Sequence, residues 1–204
     1  MSADPKSVES TPTEGVALLM IDMQEPFLKV IDPDHRLRQR CRFAVSAARL
    51  LGIPVAFTEQ VPEKLGKTVP SLGEPAPDAP VFQKSAFSAF GAPGLSDWLA
   101  EREIVHLLLA GIETAVCVYQ TARDARRNAV AVTLLSDATA GRRGEDTRQV
   151  MRFLEMHQHA AILPTESVFY SLVHDAAHPL FRDFTRLVKA ADQAGDTADS
   201  HPPN

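Results

Sequence analysis

Three residues stand where a hydrolytic centre would want them: Asp22, Lys84 and Cys117. Asp22 ends the apolar run Val16-Ala-Leu-Leu-Met-Ile21. A carboxylate in that place is costly to bury without a partner, although taken alone it reads equally well as a helix cap or loop anchor. Lys84 follows Val81-Phe82-Gln83 and precedes Ser-Ala-Phe-Ser-Ala-Phe90, neighbours small or apolar enough to strip water from an ammonium. An isolated lysine there more often snorkels to the surface. Cys117 lies in Gly111-Ile-Glu-Thr-Ala-Val-Cys117, which reads as strand end, glycine turn and the start of a helix. A thiol in a first helical turn feels the positive end of the macrodipole, which favours the thiolate. The unpaired N–H groups of that turn can also receive an oxyanion. An inert buried thiol is the ordinary alternative, and Cys41, on the apolar face of a helix, is expected to be one.

Together the three residues make a chemically complete set. A carboxylate can take the thiol proton, a lysine can hold the charges in register, and a helix N-terminus can bind a tetrahedral oxygen. Each signal is weak alone; their shared position at strand ends strengthens it. A Cys–His dyad would need a histidine at such a strand end, and none is convincing. His106 falls inside a strand. His157 and His159 are expected on different helix faces, and His174 and His178 are followed at once by Pro179.

Strands are expected at 16–21, 54–57, 81–82, 104–110, 130–135 and 161–163, where apolar runs are short and bounded by turn residues. Helical spacing appears at 35–51, 95–102, 115–128, 145–158 and 166–188, the last broken near Pro179. Pro75, Pro77 and Pro80 mark a surface loop. Alternation of strand and helix predicts an α/β fold with a parallel sheet covered on both faces, and such sheets bind ligands beyond the carboxyl ends of their strands. One domain is expected over 14–189, with a polar tail at 1–13 and a tail at 190–204 too polar to pack.

The chain has 204 residues and a net charge of -5, so it offers no electrostatic handle for nucleic acid or an anionic membrane surface. The polar start lacks an export signal, and two cysteines are too few for a disulfide framework. A reducing cytoplasm is the expectation. The glycines form neither a G-x-G-x-x-G nor a P-loop, which argues against dinucleotide or NTP binding at a Gly-rich turn.

The segments Leu18-Leu-Met-Ile-Asp22-Met-Gln-Glu-Pro-Phe27, Gln83-Lys84-Ser-Ala-Phe87-Ser-Ala-Phe90 and Gly111-Ile-Glu-Thr-Ala-Val-Cys117-Val resemble the acid, lysine and nucleophile motifs of the isochorismatase-like cysteine hydrolases. Thr58-Glu-Gln60 and Val69-Pro70 make the chain most similar to the subgroup called isochorismatase domain-containing proteins. The resemblance extends from about residue 15 to 188. It implies a single domain with a six-stranded, mainly parallel sheet and helices on both faces. It further implies a non-proline cis peptide before Glu113, an oxyanion hole made by the N–H groups of Glu113 and Cys117, and a homo-oligomer, dimer or tetramer. Gln24, Phe27, Gln60 and Phe87, near the catalytic positions or the end of the second strand, are the expected substrate contacts. Nicotinamidases of the family carry an Asp-x-His metal motif where this chain has Thr58-Glu-Gln60, so no metal and no other cofactor is expected. Isochorismate hydrolases of the family lack the cysteine, so its presence points to acyl chemistry on a small amide. The remaining alternatives are a catalytically silent binding or regulatory protein on the same fold, and a thiol redox sensor using Cys117.

Overall fold

The apolar run that ends at Asp22 is the central strand of the sheet. The computed structural model describes residues 12–32 and 35–199. Along the chain it builds β1 (Val16–Ile21), α1 (Glu25–Ile31), α2 (Arg36–Leu50), β2 (Val55–Gln60), the single turns α3 (Pro62–Leu65) and α4 (Pro70–Gly73), and β3 (Val81–Lys84). A 3-10 turn (Ala89–Gly91), α5 (Leu95–Glu101) and β4 (His106–Ile112) come next, then a π-turn (Thr114–Val118) that runs straight into α6 (Tyr119–Arg127). β5 (Ala131–Ala140), α7 (Gly144–Met156), β6 (Ala161–Leu163), α8 (Thr165–Val173) and α9 (Phe181–Asp199) complete the described chain. The six strands form one sheet in the order β3-β2-β1-β4-β5-β6, with every pairing parallel.

All six residues of β1 are buried because it has a strand on each side and helices on each face. Side chains alternate across a strand, so Leu18 and Met20 join Phe43, Ala44 and Phe184 in one core, between the sheet and α2 and α9. Leu19 and Ile21 point the other way, into a core with Trp98 of α5, Ala122 of α6 and Leu154 of α7. The chain steps outward from β1 to β2 and β3, then returns to lay β4 on the other flank of β1. That reversal is a topological switch point, where the loops beyond the strand ends diverge and leave a crevice.

Several expectations need correction. The tail expected from residue 190 is helical up to Asp199, and Ala191 packs against the core beside α2. Ala190, Ala191 and Ala194 are good helix formers, so a helix already docked by Phe184 and Val188 continues through a polar stretch. At the other end, residues 12–15 form a turn; the remainder of both expected tails, 1–11 and 200–204, lies outside the described residues. β5 extends to Ala140 rather than stopping near 135. Its polar member Asp137 is held by the backbone N–H and hydroxyl of Thr165 and by Arg40. The helix expected from about 115 begins as a π-turn. His157 and His159 do not separate: α7 ends at Met156, and both rings lie against Phe153, at 4.3 and 6.0 Å between centroids. No helix among the described residues is long and apolar enough to cross a membrane.

Candidate active site

Asp22, Lys84 and Cys117 are delivered to one place by three different strands. Asp22 is the first residue past β1, Lys84 is the last residue of β3, and Cys117 sits in the π-turn five residues beyond β4. β2 lies between the first two strands and supplies their connectors. In register, Thr58 stands beside Ile21 and Gln60 beside Lys84, so two side chains on one face of β2 reach the acid and the ammonium. The Thr58 hydroxyl donates to Asp22 Oδ1 at 2.7 Å, and Lys84 Nζ donates to Asp22 Oδ2 at 2.6 Å and to Gln60 Oε1 at 2.7 Å. The remaining capacity of the ammonium goes to the carbonyls of Ala86 and Phe87, at 3.3 and 3.2 Å. The ion pair has essentially no contact with solvent, with side-chain exposures of 0% for Lys84 and 1% for Asp22. A buried charge is tolerable only when paired and hydrogen-bonded in this way.

Asp22 has φ near +50°, the left-handed region that a residue with a Cβ adopts sparingly. Its own N–H is tied to Thr58, through both the carbonyl and the hydroxyl. Such conformations persist where the surroundings enforce them and concentrate at functional sites. Here the effect is to turn the carboxylate off the line of the strand and across the switch point, toward the sulfur.

Burial pushes the Cys117 thiol up to about 12, and the charge of Asp22 and a hydrogen bond with its carboxylate push the same way. Lys84 and a hydrogen bond with the Glu113 backbone pull it down and lose. Burial and Asp22 thus work against the thiolate that a helix N-terminus was expected to favour, and at neutral pH the Cys117 sulfur is a thiol. A measurable consequence follows. Alkylation of Cys117 by iodoacetamide should rise about tenfold per pH unit from pH 7 to 10 without levelling, whereas an ordinary thiol approaches its plateau near pH 9. A plateau at or below pH 9 would contradict the arrangement.

The mouth of the site is a cavity of about 320 Å³ lined by Asp22, Phe27, Gln60, Phe87, Ile112, Glu113, Val116, Cys117 and Arg142. Phe27 and Phe87, expected from sequence, stand on its wall, as does Gln60, whose carboxamide is shared between Lys84 and the Ser85 carbonyl. Gln24 does not line it. That side chain is fully buried, donates to the carbonyls of Gln60 and Gly66 and accepts from the Gln60 N–H. An amide so occupied staples the β1 and β2 loops together and has nothing left for a substrate. Thr121 does similar work on the other wall. Its hydroxyl bonds the Cys117 carbonyl at 2.7 Å and accepts from the Ala89 N–H at 2.9 Å, tying the loop that carries Phe87 to the cysteine turn. The Ile112–Glu113 peptide is cis.

Sequence reasoning missed Ile112, Val116 and Arg142. The first two look like ordinary strand and helix residues, and Arg142 follows a glycine in a polar turn with no local pattern to mark it. A larger hollow of about 550 Å³, bordered by Arg126, Val130 and His159, lies by the opposite ends of β5 and β6 and contains none of the three reactive groups. Among the described residues no group of three or more His, Cys, Asp and Glu is placed to hold a metal ion.

Comparison with known proteins agrees with this architecture. Residues 16–167 match the Isochorismatase domain. Isochorismatase domain-containing protein 2A of Mus musculus is 34% identical over 191 residues, 93% of this chain and 90% of the mouse protein. Among solved structures, the MAR1 ribonuclease of Caenorhabditis elegans superposes with a TM-score of 0.79 at 35% identity, covering 88% of this chain and 91% of that one. The YcaC protein of Escherichia coli, described as an octameric hydrolase of unknown specificity, shares the fold with a TM-score of 0.75 at 20% identity, over 93% and 99% of the two chains.

Proposed function

The chain belongs to the isochorismatase domain family of hydrolases, and on that premise we propose that it cleaves a small amide or related C–N bond through an acyl thioester on Cys117. The observation that carries the reading is that the Asp22 carboxylate, anchored by Lys84, and the Cys117 thiol line one cavity, close enough that the charge of Asp22 raises the thiol. With the thiol near 12, the thiolate fraction at pH 7 is on the order of 1 in 10⁵, so the proton must leave as the sulfur attacks. Asp22 takes it. The substrate carbonyl carbon bonds to Sγ, and its oxygen gathers charge beside the backbone N–H groups of Glu113 and Cys117. Asp22 returns the proton to the leaving nitrogen, which departs as ammonia from a primary amide. Asp22 then deprotonates a water that attacks the thioester, and the acid leaves as the thiol reforms. Lys84 keeps a cation within reach of the carboxylate throughout.

A cavity of about 320 Å³ is at the small end of ligand sites, which supports a small molecule rather than a polynucleotide as substrate. A redox cycle through a disulfide is disfavoured, because Cys41 lies in the core on one face of the sheet and Cys117 in the core on the other. Burial also pushes the Cys41 thiol up, with Asp32 and Asp137 adding to the shift. Homo-oligomeric assembly belongs to the same reading, supported by the exposed Val105, Met156 and Leu163.

The test is incubation with a panel of primary amides and ureides, with mass spectrometry of the quenched protein. A mass gain equal to the acyl group on Cys117 is expected, with ammonia release. Cys117→Ala should lower turnover by about 10⁴-fold or more while keeping the unfolding midpoint. Full activity in that variant would rule the mechanism out. Failure of every amide with the wild-type protein would favour a catalytically silent binding protein on this fold.

A further inference from the structure

Asp22 and Cys117 follow strands that pair directly, because β1 and β4 run side by side. Lys84 has no such help. It ends β3, which stands three strand spacings from β4, about 14 Å. The segment after it, 85–91, reaches back to α6, where the Ala89 N–H donates to the Thr121 hydroxyl at 2.9 Å. The same hydroxyl donates to the Cys117 carbonyl at 2.7 Å. A threonine in a helix commonly gives its hydroxyl to the carbonyl four residues earlier, and that bond alone would be ordinary. The bond from Ala89 is not: it comes from 32 positions away, and both residues are fully buried. At its near end the segment is held by Lys84 Nζ, through the carbonyls of Ala86 and Phe87. A short line of hydrogen bonds and backbone thus runs from the ammonium to the backbone of the cysteine, and Thr121 is its link on α6.

We infer that Thr121 is a positioning residue, whose hydroxyl fixes the cysteine turn against the lysine segment and so holds the sulfur where Asp22 and the cavity meet. It acts through Cys117 and does none of the chemistry itself. Packing would keep the two pieces together without it, since Ala89 and Ala92 share a core with Ala122 and Ala125. Contact between small apolar groups is non-directional, however, whereas a hydrogen bond has a narrow range of length and angle. The bond therefore sets the register that the packing leaves loose. A displacement of about 1 Å at a reacting atom can cost on the order of 10²-fold in rate, so this bond bears on turnover out of proportion to its strength. The effect on turnover rests on the amide-cleavage reading; the placement of the sulfur does not.

Thr121→Val removes the hydroxyl and keeps the shape, and Thr121→Ser keeps the hydroxyl without the methyl. The first readout is alkylation by iodoacetamide at pH 8, with Cys41 as an internal control. Cys41 is fully buried in the core on the other face of the sheet, so its alkylation reports unfolding, and the ratio of Cys117 to Cys41 rates isolates a local change. Burial and the charge of Asp22 hold the Cys117 thiol up, and a sulfur let out of its place loses part of both. The ratio should therefore rise about threefold or more in Thr121→Val and stay near the wild-type value in Thr121→Ser. The second readout is steady-state hydrolysis of the best amide in the panel. In Thr121→Val kcat should fall about tenfold or more, with KM changed by less than about threefold, and Thr121→Ser should recover it. A residue that only supported the fold would expose both thiols together, which lowers the ratio, and would leave kcat per folded molecule unchanged. An unchanged or lowered ratio in Thr121→Val overturns the inference, as does an unchanged kcat, or a serine variant as impaired as the valine one. Should the valine variant not fold, Thr121→Ala, which also lacks the hydroxyl and adds no bulk, reads the same quantities. If amides are hydrolysed and the ratio does not move, amide cleavage stands and the positioning role falls. If the ratio moves as expected but the wild-type protein turns over no amide, the positioning role stands and the amide-cleavage reading falls.

Discussion

Lys84→Met should lower the stability of the fold by about 3–5 kcal/mol, the usual cost of removing one member of a buried ion pair. The methionine roughly replaces the hydrophobic stem of the lysine, so lost packing accounts for little of the effect. What remains is Asp22, 1% exposed, with its main counter-charge gone and no water to take its place. Gln60 and the carbonyls of Ala86 and Phe87 lose their shared donor at the same time. Urea denaturation would report the loss directly. The informative comparison is the double variant Asp22→Asn/Lys84→Met. With both charges removed, much of the stability should return, while hydrolysis should remain absent because neither base nor cation is left. A single variant within about 1 kcal/mol of wild type would mean that the pair is far better hydrated than the structure describes.

The second large effect is expected at Gly111. This residue has φ near +107°, and a Cβ there would sit 2.2 Å from the Ile21 carbonyl oxygen and 2.7 Å from the Ile21 nitrogen. Those atoms belong to the central strand, and Ile21 is the register partner of Gly111, so the obstacle cannot rotate aside as a side chain would. Gly111→Ala should therefore cost roughly 4 kcal/mol or more, beyond the usual range for a single substitution. Gly52→Ala provides the control. Gly52 also has positive φ, +71°, but a Cβ there meets nothing within 4 Å, so only the conformational penalty of about 1–2 kcal/mol should appear. Equal losses at the two positions would show that the contact with β1 is not tight. In whatever fraction of Gly111→Ala still folds, β1 and β4 must part near their ends. Asp22 follows Ile21 directly, so hydrolysis should suffer more than the folded population does.

The meeting of Asp22, Lys84 and Cys117 at the strand ends was more legible in the sequence than the shape of the cavity around them. Asp22 announced itself because an unbroken apolar run can only be a strand covered on both faces, and a carboxylate at its end then needs an explanation. Lys84 and Cys117 gained meaning from the same rule of strand ends. Other features depended on partners distant in the chain, which local patterns do not record. Asp137 looked like the end of a strand and lies within β5, because Arg40 and Thr165 satisfy it. Gln24 was expected to face the substrate, but carbonyls of the β2 loop claim its carboxamide. The state of the sulfur was misjudged for a similar reason. The macrodipole argument is local, whereas burial and the charge of Asp22, which raise the thiol, come from the tertiary structure. Arg142 left no trace in sequence, since an arginine after a glycine turn is ordinary until one sees where the turn lands. The short helix α1, opened by Pro26 at its second position, was also hidden inside what read as loop.

The crossing of the chain back over β1 has a consequence for how this protein can be divided. The acid ends the central strand itself, the cation comes from one side of it and the sulfur from the other, so a cut between β3 and β4 separates the three groups. Residues 16–84 would keep Asp22, Thr58, Gln60 and Lys84 but leave β1 with a bare flank where β4 belongs. Residues from 106 onward would keep the sulfur and Arg142 without a base. Activity regained on mixing two such pieces would thus be a direct assay of whether the seam between β1 and β4 can close after the backbone is cut.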